Sequence, residues 1–336
     1  MVSLRSRLSE RASRPRQRVA TPAPVAATLM FSILALLPGA ALAQRSNLEQ
    51  QCTANIGGNA ATCADLATLL DITAARTTLA AAGGNPILGT SSTLGHRIPG
   101  QPRFALAARW SFVPVEIPSP GDPGGSSNAS FTATAWSIDA VLGLFAGFSP
   151  APTVGGVGSI DVFAGAGAIQ LASGEGFRSH APGTWGAGVR VGVLRESFTM
   201  PGISLSAAFR RTGRWNAGDV RLAESEAYVV ADDASSWILR AVIGKRIGLI
   251  GLTAGAGFDR TETDAVLRLP GPVEPIETRF DSYHSDRVNL FANAAWTWVI
   301  ATFTAEAGWQ AGTGDPAEGN PGGGGLWVGL GARVTF

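Results

Sequence analysis

The sequence predicts an all-β fold, an antiparallel up-and-down transmembrane β-barrel of about ten strands, with eight or twelve as alternatives, behind a short helical amino-terminal segment. Three observations predict it. Only 15% of the 336 residues are charged, 45% are hydrophobic and mean hydropathy is +0.17; ordinary water-facing domains carry roughly 25% charge. No internal run of about 18 apolar residues is present to form a membrane helix. From Phe104 onward, segment after segment alternates apolar with small or polar residues at a period of two, the signature of strands with two unlike faces.

The first 43 residues read as an export signal. Arg5, Arg7, Arg11, Arg14, Arg16 and Arg18 face only Glu10, Val25 to Leu37 is apolar, Pro38-Gly39 breaks the run, and Ala41-Leu42-Ala43 supplies a small-x-small cleavage pattern. The mature chain then starts at Gln44. A short apolar core with no stop-transfer pattern behind it argues against a retained anchor. Export with only Cys52 and Cys63 implies one disulfide between them.

Residues 44–100 are rich in Ala, Thr and Leu. Leu66, Leu69, Leu70, Ile72 and Leu79 predict one helix, entered through Thr62 or Asp65 and ended near Gly83-Gly84. The disulfide staples a segment too small to own a core. Two fates are open to it, a plug inside the barrel or a periplasmic segment, and no residue chooses between them. His96, in GHRIPG, has no metal ligand at suitable spacing and reads as a loop residue; no metal or cofactor is expected.

The strands follow in order, outward residues named first. Phe104, Leu106, Ala108, Trp110 and Phe112 oppose Ala105, Ala107, Arg109 and Ser111. A second strand running to Phe148 sets Ile138, Ala140, Leu142 and Leu144 against Ser137, Asp139 and Gly143; a third sets Ile160, Val162, Ala164 and Ala166 against Ser159, Asp161, Gly165 and Gly167. Trp185 to Val193 opposes Gly186, Gly188, Arg190 and Gly192, and Ile203 to Phe209 opposes Ser204, Ser206, Ala208 and Arg210. Trp237 to Ile243 opposes Ser236, Ile238, Arg240 and Val242; Ile250 to Phe258 opposes Gly251, Thr253, Gly255, Gly257 and Asp259. Val288 to Trp296 opposes Arg287, Asn289 and Asn293, and Ala301 to Trp309 opposes Thr302, Thr304, Glu306 and Gln310. The last strand sets Leu326, Val328, Leu330, Ala332, Val334 and Phe336 against Trp327, Gly329, Gly331, Arg333 and Thr335. The segments Asp219 to Val230 and Glu262 to Leu269 extend neighbouring strands or form an added hairpin.

Connections alternate, short after even strands and long after odd ones. Trp185, Phe209, Trp237, Phe258 and Trp309 fall at one end of the outward faces, and Phe104, Phe148, Trp296 and Phe336 at the other, which predicts two aromatic girdles at a lipid boundary. The closing strand, amphipathic and ending on Phe336, resembles that of bacterial outer-membrane β-barrel proteins. The resemblance covers roughly residues 101 to 336 and names an architecture, no subfamily. It implies outer-membrane localisation, contact with membrane lipid, and recognition of the carboxy-terminal strand by the barrel-assembly machinery.

On the inward parity, Arg109, Arg190, Arg210, Arg240, Arg287 and Arg333 face Asp139, Asp161, Asp259 and Glu306. A channel lined by them passes small solutes with a weak anion preference; in a barrel this narrow they also pair as structure. Inward Gly165, Gly167, Gly186, Gly188, Gly192, Gly251, Gly255 and Gly257 leave room for the amino-terminal helix or a slender solute, or ease strand bending. Omptin proteases, which are ten-stranded outer-membrane barrels, cleave at the outer rim; Asp232, Asp233, Asp281 and His284 lie at the equivalent height, without that family's paired-acid and Asp-His motifs. A net charge of +1 argues against nucleic acid as a partner. The expected function is a narrow or plugged pore for small solutes or a structural envelope protein; recognition or adhesion through the long loops and rim hydrolysis are the alternatives.

Overall fold

The computed structural model describes residues 48–54, 60–98, 101–119, 128–151, 154–171, 182–217, 228–269, 276–312 and 324–336. The export signal and the Gln44 start lie outside them, as do the tips of the long connections. Ten long strands form one closed antiparallel ring: β1 Phe104–Pro118, β2 Asn128–Phe145, β3 Ser159–Leu171, β4 Gly183–Leu194, β5 Gly202–Thr212, β6 Tyr228–Ile247, β7 Ile250–Leu269, β8 Ile276–Trp298, β9 Ala301–Gln310 and β10 Gly325–Thr335. Each strand pairs with its neighbours in sequence, and β10 returns to β1 from Val328↔Phe112 to Thr335↔Ala105. Phe336 N–H donates to the Phe104 carbonyl at 2.8 Å and sews the seam at its end. A three-residue strand, Trp215–Ala217, adds to β6 beyond the ring. Closure removes every free edge among the ten, so backbone polar groups are satisfied without water on the outer face.

Alternation along the strands matches the sequence reading. Leu106, Trp110, Ile138, Trp185, Leu205, Trp237, Leu252, Leu290, Phe303 and Leu330 are exposed outside, whereas Arg109, Asp161, Arg190, Arg240, Asp259, Arg287 and Arg333 are buried inside. Trp185, Phe209 and Trp237 make a run of edge-to-face contacts with centroids 6.3 and 5.4 Å apart at the long-loop end, and Trp296 stacks on Phe303 at 5.8 Å near the other. The register also brings Trp110 opposite Trp136 on the outer face, a pair the girdle reading did not include. Phe148 lies beyond β2, which a register shift at Gly143/Phe145 ends at Phe145; it contributes an isolated bridge to Val157 and packs on Phe145 at 5.2 Å. Glu262 to Leu269 extends β7, and Tyr228 to Val230 belongs to β6, the rest of the segment from Asp219 lying outside the described residues; β6, β7 and β8 run for 20, 20 and 23 residues, longer than the roughly 9–11 that span a bilayer.

Among the described residues no helix is long and apolar enough to cross a membrane. Residues 48–54 are helical, and α1, Ala60–Ala82, begins two residues before the earliest expected start. From Leu66 to Ala82 every residue of α1 is buried, on all sides. A helix buried all round, mostly apolar and with its charged side chains hydrogen-bonded, must be enclosed by protein or lipid; here the enclosure is the barrel wall, chiefly β1, β6, β7 and β2. Its upper turns join Val113, Val115, Ile117, Trp215, Leu267 and Trp327 in one apolar cluster at the long-loop end of the lumen. Gly83, in the left-handed region at φ 62°, ends the helix, with its N–H on the Leu79 carbonyl at 2.8 Å.

A disulfide joins Cys52 to Cys63 across 11 positions, with both side chains fully buried. Closing a loop this short stabilises the folded state by at most about 3 kcal/mol through the unfolded chain. Replacing both cysteines by Ala is expected to raise hydrogen exchange in the first turns of α1 and leave the ten-strand ladder protected. Loss of ladder protection would contradict that local role.

Candidate functional site: a helix-filled lumen

Within the buried stretch Leu66–Ala82, two opposite charges, Asp71 and Arg76, interrupt a largely apolar helix. The Asp71 carboxylate accepts from Arg287 Nη2 at 2.5 Å and from Ser285 Oγ at 2.7 Å, both on β8. Arg76 reaches the adjoining strands β9 and β10, 3.5 Å from Gln310 Oε1 and 3.3 Å from the Gly325 carbonyl. Thr78 shares its hydroxyl with Ser236 and Thr261 at 3.0 and 2.8 Å. These contacts fix the rotation of α1 about its own axis, which its largely apolar surface leaves free.

The lower end of the helix meets the densest polar cluster. The last carbonyls of a helix lack intrahelical donors and carry partial negative charge. Arg109 Nη1 donates to the Ala82 carbonyl at 2.5 Å, and its Nη2 to that of Asn85. From the other side of the lumen, Arg240 donates to the Gly83 and Gly84 carbonyls, each at 3.1 Å. Arg240 is held by Asp259 at 2.5 and 3.2 Å, and Asn289 supports the same carboxylate at 2.7 Å. Glu306, on β9, accepts the Gly84 N–H at 2.5 Å and that of Asn85 at 3.3 Å. Three charged side chains from β1, β6 and β9 thus converge on four residues of backbone.

Below the helix, the strap Gly83–Gly95 descends to the short-turn end. Arg190 donates to the Thr90 carbonyl at 3.1 Å, to Asn85 Oδ1 at 2.5 Å and takes Ser206 as a further acceptor at 3.2 Å. Thr93 and Ser159 share a hydrogen bond of 2.6 Å, and the Leu94 N–H donates to Asp161 at 2.7 Å. Leu88 lies against Gly331 and Gly95 against Gly143, positions where a wall side chain would collide with the strap. Other inward glycines make room for the wall itself: Phe163 covers Gly188, Phe291 covers Gly255, and Arg240 and Asn289 cover Gly257. A narrow gap lined by Arg109, Asp139, Phe163, Gly165, Gly186 and Arg210 remains beside the helix end. Within it Arg210 stands 3.8 Å from Asp139.

All ten charged residues read as inward do face the lumen. Most bind the helix, the strap or one another; Arg333 has no hydrogen bond or ion pair among the described residues. The rim residues do not share one pocket. Asp232 pairs with Arg214 at 3.1 Å, and Asp233, at a bulge with φ 50°, pairs with Arg211 at 2.9 Å. Asp281 is exposed on β8, and His284 Nδ1 lies 3.8 Å from Glu262 of β7. Strand β7 separates the two aspartates of β6 from Asp281 and His284. Among the described residues no cluster of three or more His, Cys, Asp or Glu is placed to hold a metal. Sequence reasoning missed Asp71, Arg76 and Asn85; the available signal was a pair of opposite charges inside a largely apolar helix.

No family model and no curated protein sequence matches the chain. In architecture it resembles outer-membrane β-barrel proteins. Similar solved structures include the copper transporter OprC, at 11% identity and a TM-score of 0.28, covering 62% of this chain and 37% of that one. The toluene transporter TbuX of Ralstonia pickettii is 10% identical with a TM-score of 0.23, covering 70% and 88%. The outer membrane protein OpdK of Pseudomonas aeruginosa is 9% identical with a TM-score of 0.12, covering 70% and 99%. The match to OprC thus spans about a third of that protein's length. Likeness at this level carries no argument about what the present chain transports or binds.

Proposed function

We propose that the protein is an outer-membrane barrel acting as a plugged pore for small solutes, with α1 and the strap Gly83–Gly95 as the plug. The observation that carries this reading is the convergence of Arg109, Arg240 and Glu306 on the backbone of residues 82–85. Wall charges of a purely structural core pair with each other; here they are directed at a separate segment that fills the lumen. The test is conductance across a planar bilayer with and without the plug.

Membrane residence is supported by the outward apolar face and its aromatic margins. Ala254, midway between Ile250 and Phe258 on the outward face of β7, and Leu249, in the short turn before it, are both exposed. Ala254→Arg is expected to lower stability in lipid vesicles by about 2–4 kcal/mol and Leu249→Arg by about 0–1 kcal/mol, as for charges at the bilayer midplane and its boundary. Equal, small effects in urea titrations would place this face in water. On the same reading the carboxy-terminal strand ending at Phe336 is the segment recognised by the barrel-assembly machinery. Recognition through the long loops and hydrolysis at the rim have no comparable observation in their favour.

A further inference from the structure

Of the six inward arginines, Arg333 alone holds nothing among the described residues. It is 5% exposed, and its Nε and Nη1 are buried without an acceptor. It projects from β10 opposite Thr302 and Ala107, one inward position below Gly331, where Leu88 of the strap touches the wall. The region around it is cationic. Arg190 is fully buried, and its three acceptors, Ser206, Thr90 and Asn85, are all neutral. Arg333 lies close enough to feel the charges of Arg246 and Asp161, and Arg190 those of Arg333 and Asp161. Arg246 has inward parity and is exposed at the short-turn mouth. Asp161 is close enough to feel Arg190, Arg333 and Arg195; one of its oxygens accepts the Leu94 N–H and the other is buried without a partner, while Glu196 accepts the main-chain N–H of Arg246. Arg333, Arg190, Arg195 and Arg246 therefore outnumber Asp161 and Glu196 beneath the strap, and of these cations only Arg333 lacks a hydrogen-bond partner among the described residues.

Buried charges are paired in stable proteins, because water lost from an ion must be replaced by an opposite charge or by several hydrogen bonds. Water molecules can satisfy the orphaned N–H groups, but they leave the excess positive charge in place. We propose that a small oxyanion of phosphate size binds beneath the strap, held by Arg333 together with Arg190 and Arg246. Guanidinium groups approaching from three strands suit a ligand with several acceptor oxygens better than a spherical halide, since each planar group can donate more than one N–H. Arg246, exposed at the mouth, gives the anion its first contact on the way in, and Arg333 its final one.

The proposal is tested by calorimetric titration of inorganic phosphate into the full-length protein in detergent, at constant ionic strength. The expected result is one saturable site per chain. Arg333→Gln is expected to weaken binding at least about tenfold, Arg246→Gln about threefold, and Arg333→Lys to fall between wild type and Arg333→Gln. Absence of a saturable isotherm, or an unchanged affinity in Arg333→Gln, overturns the site. Should Arg333→Gln fail to fold, the exposed Arg246→Gln decides, and an unchanged affinity there also overturns it. Binding is read without a membrane or a current, so its failure and that of the pore reading are separate outcomes.

Discussion

Deleting residues 60–95 is expected to raise conductance in planar bilayers at least about tenfold over the intact protein, whose lumen is filled. The reason is geometric. An α-helix with side chains is roughly 10–12 Å across, and α1 is buried on every side by the wall. Its removal, with the strap, frees Arg109, Arg240, Glu306 and Asp161 from backbone partners and leaves them to water. The opened lumen then carries the six arginines against four carboxylates of the inward parity, so reversal potentials in a salt gradient are expected to show a modest anion preference. A milder variant, Asp71→Asn, weakens the tie to Arg287 and Ser285 and is expected to give brief openings rather than a steady current. Heat-modifiable migration of each variant in detergent confirms a closed barrel before the recording. An unchanged baseline in a folded deletion variant would remove the pore reading and leave a structural envelope protein.

Arg240→Met is expected to be the most damaging single substitution in the lumen, at about 3–5 kcal/mol, the usual cost of removing one partner of a buried ion pair. Arg240 and Asp259 are 0% and 1% exposed, and the same guanidinium serves the carbonyls of Gly83 and Gly84. Its loss strands a buried carboxylate and two helix-terminal acceptors together. Arg210→Met, by contrast, breaks a longer 3.8 Å contact and leaves Asp139 with the Ser137 hydroxyl, and is expected to cost less, about 1–3 kcal/mol. Urea unfolding in micelles with linear extrapolation measures both. The double variant Arg240→Met, Asp259→Leu is expected to recover part of the loss, because no unpaired charge then stays inside. A double variant as unstable as the single one would show that capping of the helix, rather than the stranded carboxylate, accounts for the effect.

The wall was legible in the sequence because one physical contrast repeats along it. Every second residue meets an apolar exterior, so Trp185 and Arg190, or Trp237 and Arg240, disclose their faces by parity alone. The plug was legible as a helix but its location was not, since a largely apolar segment such as Leu66 to Ala82 is compatible with any dry enclosure. Its attachments were hidden for a different reason. Arg109, Arg240 and Glu306 bind main-chain carbonyls and amides of residues 82–85, and main-chain groups leave no residue-type signature. The inward glycines show the same limit. Gly143 and Gly331 admit the strap, while Gly188 and Gly255 lie under Phe163 and Phe291 of adjacent strands; a missing side chain signals that something approaches, without saying what. Asp232, Asp233, Asp281 and His284 were grouped by height along the barrel, and height says nothing about which strand intervenes.

The seam between β10 and β1 joins residues more than 200 positions apart, such as Gly329 and Ser111. Contacts so distant in sequence form late, because the loop entropy must be overcome before they contribute. The residues that occupy the interior precede the whole wall in chain order. Assembly can therefore proceed by wrapping: the apolar helix and its strap act as the form around which successive hairpins curve, and the last pairing locks it in. Interior contacts such as Asp71 with Arg287 would then guide the curvature of the growing sheet, and variants weakened there would be slow to reach the closed state even where the finished barrel is stable.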